Sequence, residues 1–198
     1  MARTRATDYD DKRSAILHRA ARLFADEGYD RASMSSIAAD CGVSKALLYH
    51  YYDSKDALLF DVIGEHLEIL CEAVEAADDP AAEPERRLKR LVSTLLDCYR
   101  DADAQHKVQV NDLGKLPADK QDALKALERR LVAVFAGALA ALNPDLDKQR
   151  PLLKPVTMSL FGMLNWHYMW FRPEGPISRE DYAEIATRII VSGARTLA

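Results

Sequence analysis

Between residues 33 and 55 the side chains alternate between groups that can hydrogen-bond an anion and groups that belong in a core. Ser33, Ser35 and Ser44 offer hydroxyls, Lys45 and Lys55 offer ammonium groups, and Tyr49, His50 and Tyr51 offer rings that stack and donate. With Ile37, Val43, Leu48 and the body of Tyr51 turned inward, the outward face of the second half reads Ser44, Lys45, Ala46, Leu47, Tyr49 and His50. That face carries one cation, no acid, two hydrogen-bonding rings and small or apolar groups. Such a surface suits the base edges of a DNA major groove. Ser33, Ser35, Tyr51, Lys55 and the N–H groups opening the next helix suit the phosphates. Arg3 and Arg5 sit on a polar arm expected to reach neighbouring phosphates or a minor groove. The plainer alternative is a three-helix cap that exposes a Tyr/His face.

The elements that would position this face are legible from caps and periodicity. Asp10 or Asp11 can open a first helix running to about Glu27, with Ile16, Leu17, Ala20, Leu23 and Phe24 on one stripe and Gly28 ending it. Ser33 caps a second helix from Met34 to about Cys41. Gly42 supplies the turn, and Ala38 allows close crossing. Ser44 caps a third helix through Tyr51. Asp53 and Ser54 open a fourth, about 54–77, which would join two domains: residues 1–55 and residues 56–198. Asp78–Pro84 is the clearest break. Helices at about 84–102, from Pro117 to Leu142, at about 148–171 and from Ser178 onward follow, with 104–114 ambiguous. The last helix carries Tyr182, Ile185, Ala186, Ile189, Ile190, Gly193 and Leu197 as one stripe expected to pair with the 148–171 helix against a second copy; internal burial in a monomer is the alternative.

Composition agrees with an all-α fold of about nine helices, an N-terminal helix-turn-helix domain preceding a larger helical domain. The 198 residues include 30 Ala and 25 Leu against 10 Val, 8 Ile and 6 Thr, so helix formers outnumber the residues that strands favour. The net charge of −4 is unevenly spread. Residues 1–55 hold nine Lys and Arg against eight Asp and Glu, and the remainder holds 18 against 23. A nucleic-acid partner is therefore argued from local pattern, not from bulk charge. Cys41, Cys71 and Cys98 are too widely spaced for a zinc pattern and read as core residues of a cytoplasmic protein. No apolar run is long enough for a membrane span, and no signal-peptide pattern opens the chain.

The run SMSSIAADCGVSKALLYHYYDSKDALL resembles the DNA-binding segment of TetR-family (tetracycline-repressor-like) transcriptional regulators. The resemblance rests on Ile37-Ala38, Gly42-Val43-Ser44, Leu48-Tyr49 with the aromatics up to Tyr52, and Ser54-Lys55 followed by an acid and a leucine. Leu47 departs from it, because many members carry a small or hydroxylated residue there. The resemblance implies a homodimer on a palindromic double-stranded operator and a C-terminal domain that holds an inducer. The run FGMLNWHYMWFRPEGPISREDYAEIATRII is similar to members that respond to acyl-CoA thioesters, those of phenylacetate catabolism most of all. It implies a repressor released by such a thioester; a fatty-acid or drug-like ligand is the alternative.

Candidate ligand residues are Tyr99, Asn111, Met163, Trp166, His167, Trp170 and Arg172, a mixture of apolar surface and a few polar groups. Packing in the core or at the dimer contact is the plainer role for the two Trp. Arg172, Lys154, Lys107 and Arg100 are candidates for CoA phosphates, against simple surface solvation. Catalysis is not expected: the five His form no i, i+4 pair, and no H-E-x-x-H, G-x-S-x-G or Walker motif occurs. No metal site and no cofactor are expected either.

Overall fold

The computed structural model describes residues 2–148 and 150–197, with side chains from Tyr9 onward. Arg3 and Arg5 therefore lie outside the described side chains. Among the described residues the structure is all-helical. In chain order the helices are α1 Ala2–Glu27, α2 Met34–Asp40, α3 Lys45–Tyr51, α4 Lys55–Ala77, α5 Pro84–Cys98 and α6 Asp103–Asp112. A 3-10 turn at Leu113–Lys115 precedes α7 Ala118–Leu142, α8 Leu153–Asn165, α9 His167–Trp170 and α10 Arg179–Thr196. Counting α8 and α9 as the one interrupted helix that periodicity places at 148–171, nine helices result.

Two boundaries differ from the sequence reading. The first helix starts at Ala2, not near Asp10, because nothing between residues 2 and 10 breaks a helix. The helix read at 148–171 starts at Leu153, with Pro155 in its first turn where a missing N–H costs nothing. It breaks at Trp166, the residue that ends α8 and precedes α9.

The chain divides into two compact units. The first runs to Leu67 and takes in Ala102–Lys125; the second holds Glu68–Asp101 and everything from Ala126 on. The first unit thus takes in more of the chain than residues 1–55. Leu58, Leu59, Val62 and Ile63 at the start of α4 are fully buried, and α6 packs along α1. Between those two helices Gln105 Nε2 lies 3.2 Å from His18 Nδ1, and Lys107 Nζ donates to the Ala25 carbonyl at 2.6 Å. Arg13 ties α1 to α4 through Asp61 at 2.7 Å and Glu65 at 3.4 Å.

The second unit is organised on apolar stripes. Leu88, Leu91, Val92, Leu95 and Leu96 of α5 meet Ala183, Ala186, Ile190 and Val191 of α10 and Leu160 and Leu164 of α8 in one core. Phe135 and Phe161 pack edge-on at 5.1 Å between ring centroids. Cys71 lies in this core, and burial pushes the Cys41, Cys71 and Cys98 thiols up from their ordinary value.

Candidate nucleic-acid interface and effector region

The two short helices of the first unit are defined by their ends. Ser33 accepts from Ser36 N at 3.0 Å while Ser36 Oγ accepts from Ser33 N at 2.9 Å, a reciprocal cap on α2. Cys41 closes α2, and Gly42 then takes φ +66°, the left-handed backbone that a side chain disfavours. Ser44 accepts from Leu47 N at 3.1 Å and opens α3. At the far end of α2, Arg19 donates to the Asp40 carbonyl at 3.0 Å. Ile37, Ala38 and Leu48 are buried behind the turn, and so is Tyr52, a ring the sequence reading did not place in the core.

With that core set, Ser33, Ser35, Ser44, Lys45, Ala46, Tyr49 and His50 are all exposed. Lys45 Nζ sits 5.8 Å from the centroid of the Tyr49 ring. Tyr51 is half-buried; its ring stacks on Tyr9 of α1 at 4.6 Å and meets His50 edge-on at 5.7 Å. The exposed α3 surface is free of acids.

Two residues read toward DNA point elsewhere. Leu47 is half-buried and lines a cavity of about 150 Å³ with Ala15, Ile16, Val43 and Tyr51. Leu47 and Tyr51 are spaced by four, so they share the side of α3 that faces α1. Lys55 is also redirected. Its Nζ donates to the carbonyls of Tyr29 and Ala32 at 2.7 and 2.8 Å.

The seven candidate ligand residues are divided between the two units. Asn111 lies on α6 in the first unit and is exposed; the other six belong to the second unit. Tyr99 is buried and its hydroxyl donates to Asn165 Oδ1 at 2.8 Å, and burial raises the phenol well above its ordinary value. Met163 is half-buried, and its carbonyl accepts from the Tyr182 hydroxyl at 2.8 Å. Trp166 and Arg172 are exposed. Trp170 is 47% exposed yet meets Tyr182 edge-on at 4.9 Å. Trp166 stands at the one-residue break between α8 and α9, and Trp170 ends α9.

His167 is buried, like Tyr99. It stacks between Phe171 at 4.2 Å and Tyr182 at 5.2 Å, and among the described residues its Nε2 has no hydrogen-bond partner. Burial, with help from the nearby Arg179 charge, pushes its pKa down to about 4, so the ring is neutral at pH 7.

A cavity of about 580 Å³ opens between α5 and α10, lined by Ser93, Asp97, Arg100, Phe171, Arg179 and Ala183 among others. Its size suits a small molecule. Its guanidiniums are engaged. Arg100 pairs with Asp97 at 2.9 Å. Arg179 donates to the Leu96 carbonyl at 3.2 Å and lies 4.8 Å over the Phe171 ring. Lys107, read as a phosphate partner, instead caps the end of α1 through Ala25 in the first unit. The described residues hold no cluster of three His, Cys, Asp or Glu suited to a metal ion, and no helix long and apolar enough to cross a membrane.

A Gly-hinged helix pair that turns an acid-free face outward, on an all-α chain with a larger helical second unit, defines a helix-turn-helix regulator. Comparison with known proteins agrees. Residues 16–62 match the bacterial regulatory proteins of the tetR family, and residues 81–194 match the tetracyclin repressor-like C-terminal domain. The chain belongs to the TetR family, as a DNA-binding transcriptional regulator. A TetR-family transcriptional regulator from Bordetella parapertussis 12822 superposes with a TM-score of 0.84 at 37% identity, over 90% of this chain and 93% of that one. AibR in complex with isovaleryl coenzyme A and operator DNA superposes with a TM-score of 0.78 at 26% identity, over 90% and 97%. The HTH-type transcriptional activator FasR of Mycolicibacterium smegmatis is 27% identical over 176 residues, 88% of this chain and 79% of that protein.

Proposed function

We propose that the chain is a homodimeric cytoplasmic repressor that presents α3 to the major groove of a palindromic operator and is released by a small metabolite. The observation that carries the DNA reading is the exposed, acid-free surface of Ser44, Lys45, Ala46, Tyr49 and His50 on a doubly capped hairpin of helices. Ser33, Ser35 and Tyr51 flank it as phosphate donors. Residues 1–55 carry this contact, and residues 56–198 carry effector binding and dimerisation. α4 begins just after the reading segment and extends beyond the first unit, so it is the proposed coupling element. An effector shifts it only by binding the two states with different affinity.

The second copy is expected on the outer side of α8 and α10. Met158, Gly162 and Trp166, spaced by four, are exposed there, as are Ile185 and Ile189. Two copies also meet the need for reading helices one DNA turn apart.

The effector we favour is an acyl-CoA thioester such as phenylacetyl-CoA. The resemblance of the 161–190 run supports it, as does the similarity to a protein bound to isovaleryl coenzyme A. The cavity between α5 and α10 is lined by Arg100 and Arg179 together with apolar Phe171 and Ala183 and with the acids Asp97 and Glu180. Fluorescence anisotropy on a duplex selected by the protein tests the whole reading. Affinity falls steeply with salt, and phenylacetyl-CoA releases the duplex where free phenylacetate and free CoA do not. Release by a fatty acid or a drug-like compound alone assigns the alternative ligand class. A promoter fusion whose output rises when the protein binds would make it an activator, as FasR is named.

A further inference from the structure

The Lys55 ammonium grips the turn that leads from α1 into α2. Lys55 donates from Nζ to the Tyr29 carbonyl at 2.7 Å and to the Ala32 carbonyl at 2.8 Å. The same Nζ lies 4.2 Å from the centroid of the Tyr29 ring. An ammonium has three donors. Two are committed to carbonyls, and the charge rests on an aromatic face.

The Ala32 carbonyl belongs to the peptide whose other end is the Ser33 N–H. That N–H donates to Ser36 Oγ at 2.9 Å. The peptide ahead of α2 is therefore gripped at both ends, and the exposed Ser33 and Ser35 follow directly. The surroundings hold the turn as well. Tyr29 is buried and its hydroxyl donates to Asp56, and Lys115 pairs with Asp30 at 2.6 Å.

We infer that Lys55 is a positioning residue for operator binding: it sets the Tyr29–Ala32 turn, and through it Ser33 and Ser35, and does not itself bond a phosphate. This rests on the DNA-binding reading above. Turning toward a phosphate would draw the ammonium off this site of two carbonyls and a ring face. Ala32 is buried, so its carbonyl would lose its donor away from water, an unfavourable exchange. A bond to an exposed phosphate recovers less.

The test uses the full chain and a duplex that the wild-type protein enriches from a random-sequence pool. Operator affinity is measured over a salt series, below the melting temperature of every variant. Lys55→Met weakens binding by about tenfold or more while leaving the salt slope unchanged, whereas Lys45→Met lowers the slope by about one for the phosphate it no longer neutralises. Lys55→Arg is the second arm. A guanidinium preserves the charge and would preserve a phosphate bond, but it does not fit two carbonyls under the Tyr29 ring, so it also weakens binding. The amide resonances of Ser33 and Ser36 shift in both Lys55 variants and stay in place in Lys45→Met. Wild-type affinity in Lys55→Arg, or a slope that drops in Lys55→Met as it does in Lys45→Met, overturns the assignment. Unchanged affinity in both, with only the melting temperature lowered, also overturns it and leaves Lys55 a purely structural residue. If Lys55→Met does not fold, Lys55→Arg decides alone. A wild-type protein that enriches no duplex overturns the DNA-binding reading and this assignment with it.

Discussion

α3 and α10 both turn one side outward, but they are held in place by different means. α3 has seven residues, too few to persist through helix propensity. Its position comes from the Ser44 cap, from one fully buried residue, Leu48, and from the polar anchors of the segment ahead of it. The Ser33 and Ser44 caps, the Arg19 bond to Asp40 and the Lys55 clamp all act within a span of a few dozen residues. α10 has 18 residues and a broad buried side made of Ala183, Ala186, Thr187, Ile190, Val191 and Ala194. Its cap, Ser178 with Asp181, is one contribution among many. The difference shows in what is left over. α3 exposes hydroxyls, rings and a cation; α10 exposes Ile185 and Ile189. The first surface suits a polyanion, and the second suits another apolar surface.

The largest effect that sharpens this contrast is expected from Leu48→Ala. Leu48 is fully buried, and truncation costs about 2–5 kcal/mol, read as a loss of unfolding free energy in urea together with operator binding. A loss below about 1 kcal/mol would mean that the polar anchors alone hold α3. Next comes Ile189→Asp, which places a charge in the outer stripe of α10. The expected result is a dimer weakened roughly 30-fold or more, followed by sedimentation velocity. A dimer that is unaffected would remove the apolar role given to that face.

Tyr49→Ala should cost about 1–3 kcal/mol in operator affinity, measured by anisotropy, while the melting temperature stays put. Tyr49 is 43% exposed, so its removal disturbs little packing. Normal affinity would take it out of the interface. The smallest expected effect is at His167, which marks the stacked part of the second unit. Its folded pKa of about 4 lies below the ordinary 6.5. The unfolded chain therefore binds a proton first, and the neutral buried ring loses stability as pH falls from about 6.5 toward 4. His167→Phe keeps the ring stack and removes the unpaired nitrogen. It should stabilise by about 1 kcal/mol at pH 7, and by more at pH 5 in parallel denaturant titrations. A variant whose pH dependence matches the wild type would assign the acid limb elsewhere. His66, pushed down to about 3 by burial and by His106, is the next group to examine.

Much of the reading segment was legible because its determinants are local. A serine cap reaches three residues ahead, a glycine decides its own φ, and a helical stripe repeats every three or four positions. The caps at Ser33, Ser44 and Ser178, the positive φ at Gly28 and Gly42, and the burial of Ile37 and Leu48 follow from such short-range rules. The effector residues were less legible. Trp166 falls at the break between α8 and α9, which periodicity reads as one helix, and Asn111 belongs to a different unit from Tyr99. The apolar stripe read on α10 is really two: Ala186 and Ile190 turn inward, and Ile185 and Ile189 turn outward.

What the sequence determined by itself is the all-α class, the order of the main helices, the caps at Ser33, Ser44 and Ser178, and the segment that carries the acid-free face. Backbone hydrogen bonds, caps and amphipathic periods close within a few residues, so their record is written locally. Only the tertiary structure decided where long or central side chains turn. Lys55 finds its acceptors 26 and 23 residues upstream, and Leu47 settles toward α1. Those directions depend on which surfaces lie opposite once the helices pack, and that information is held by no single stretch of chain.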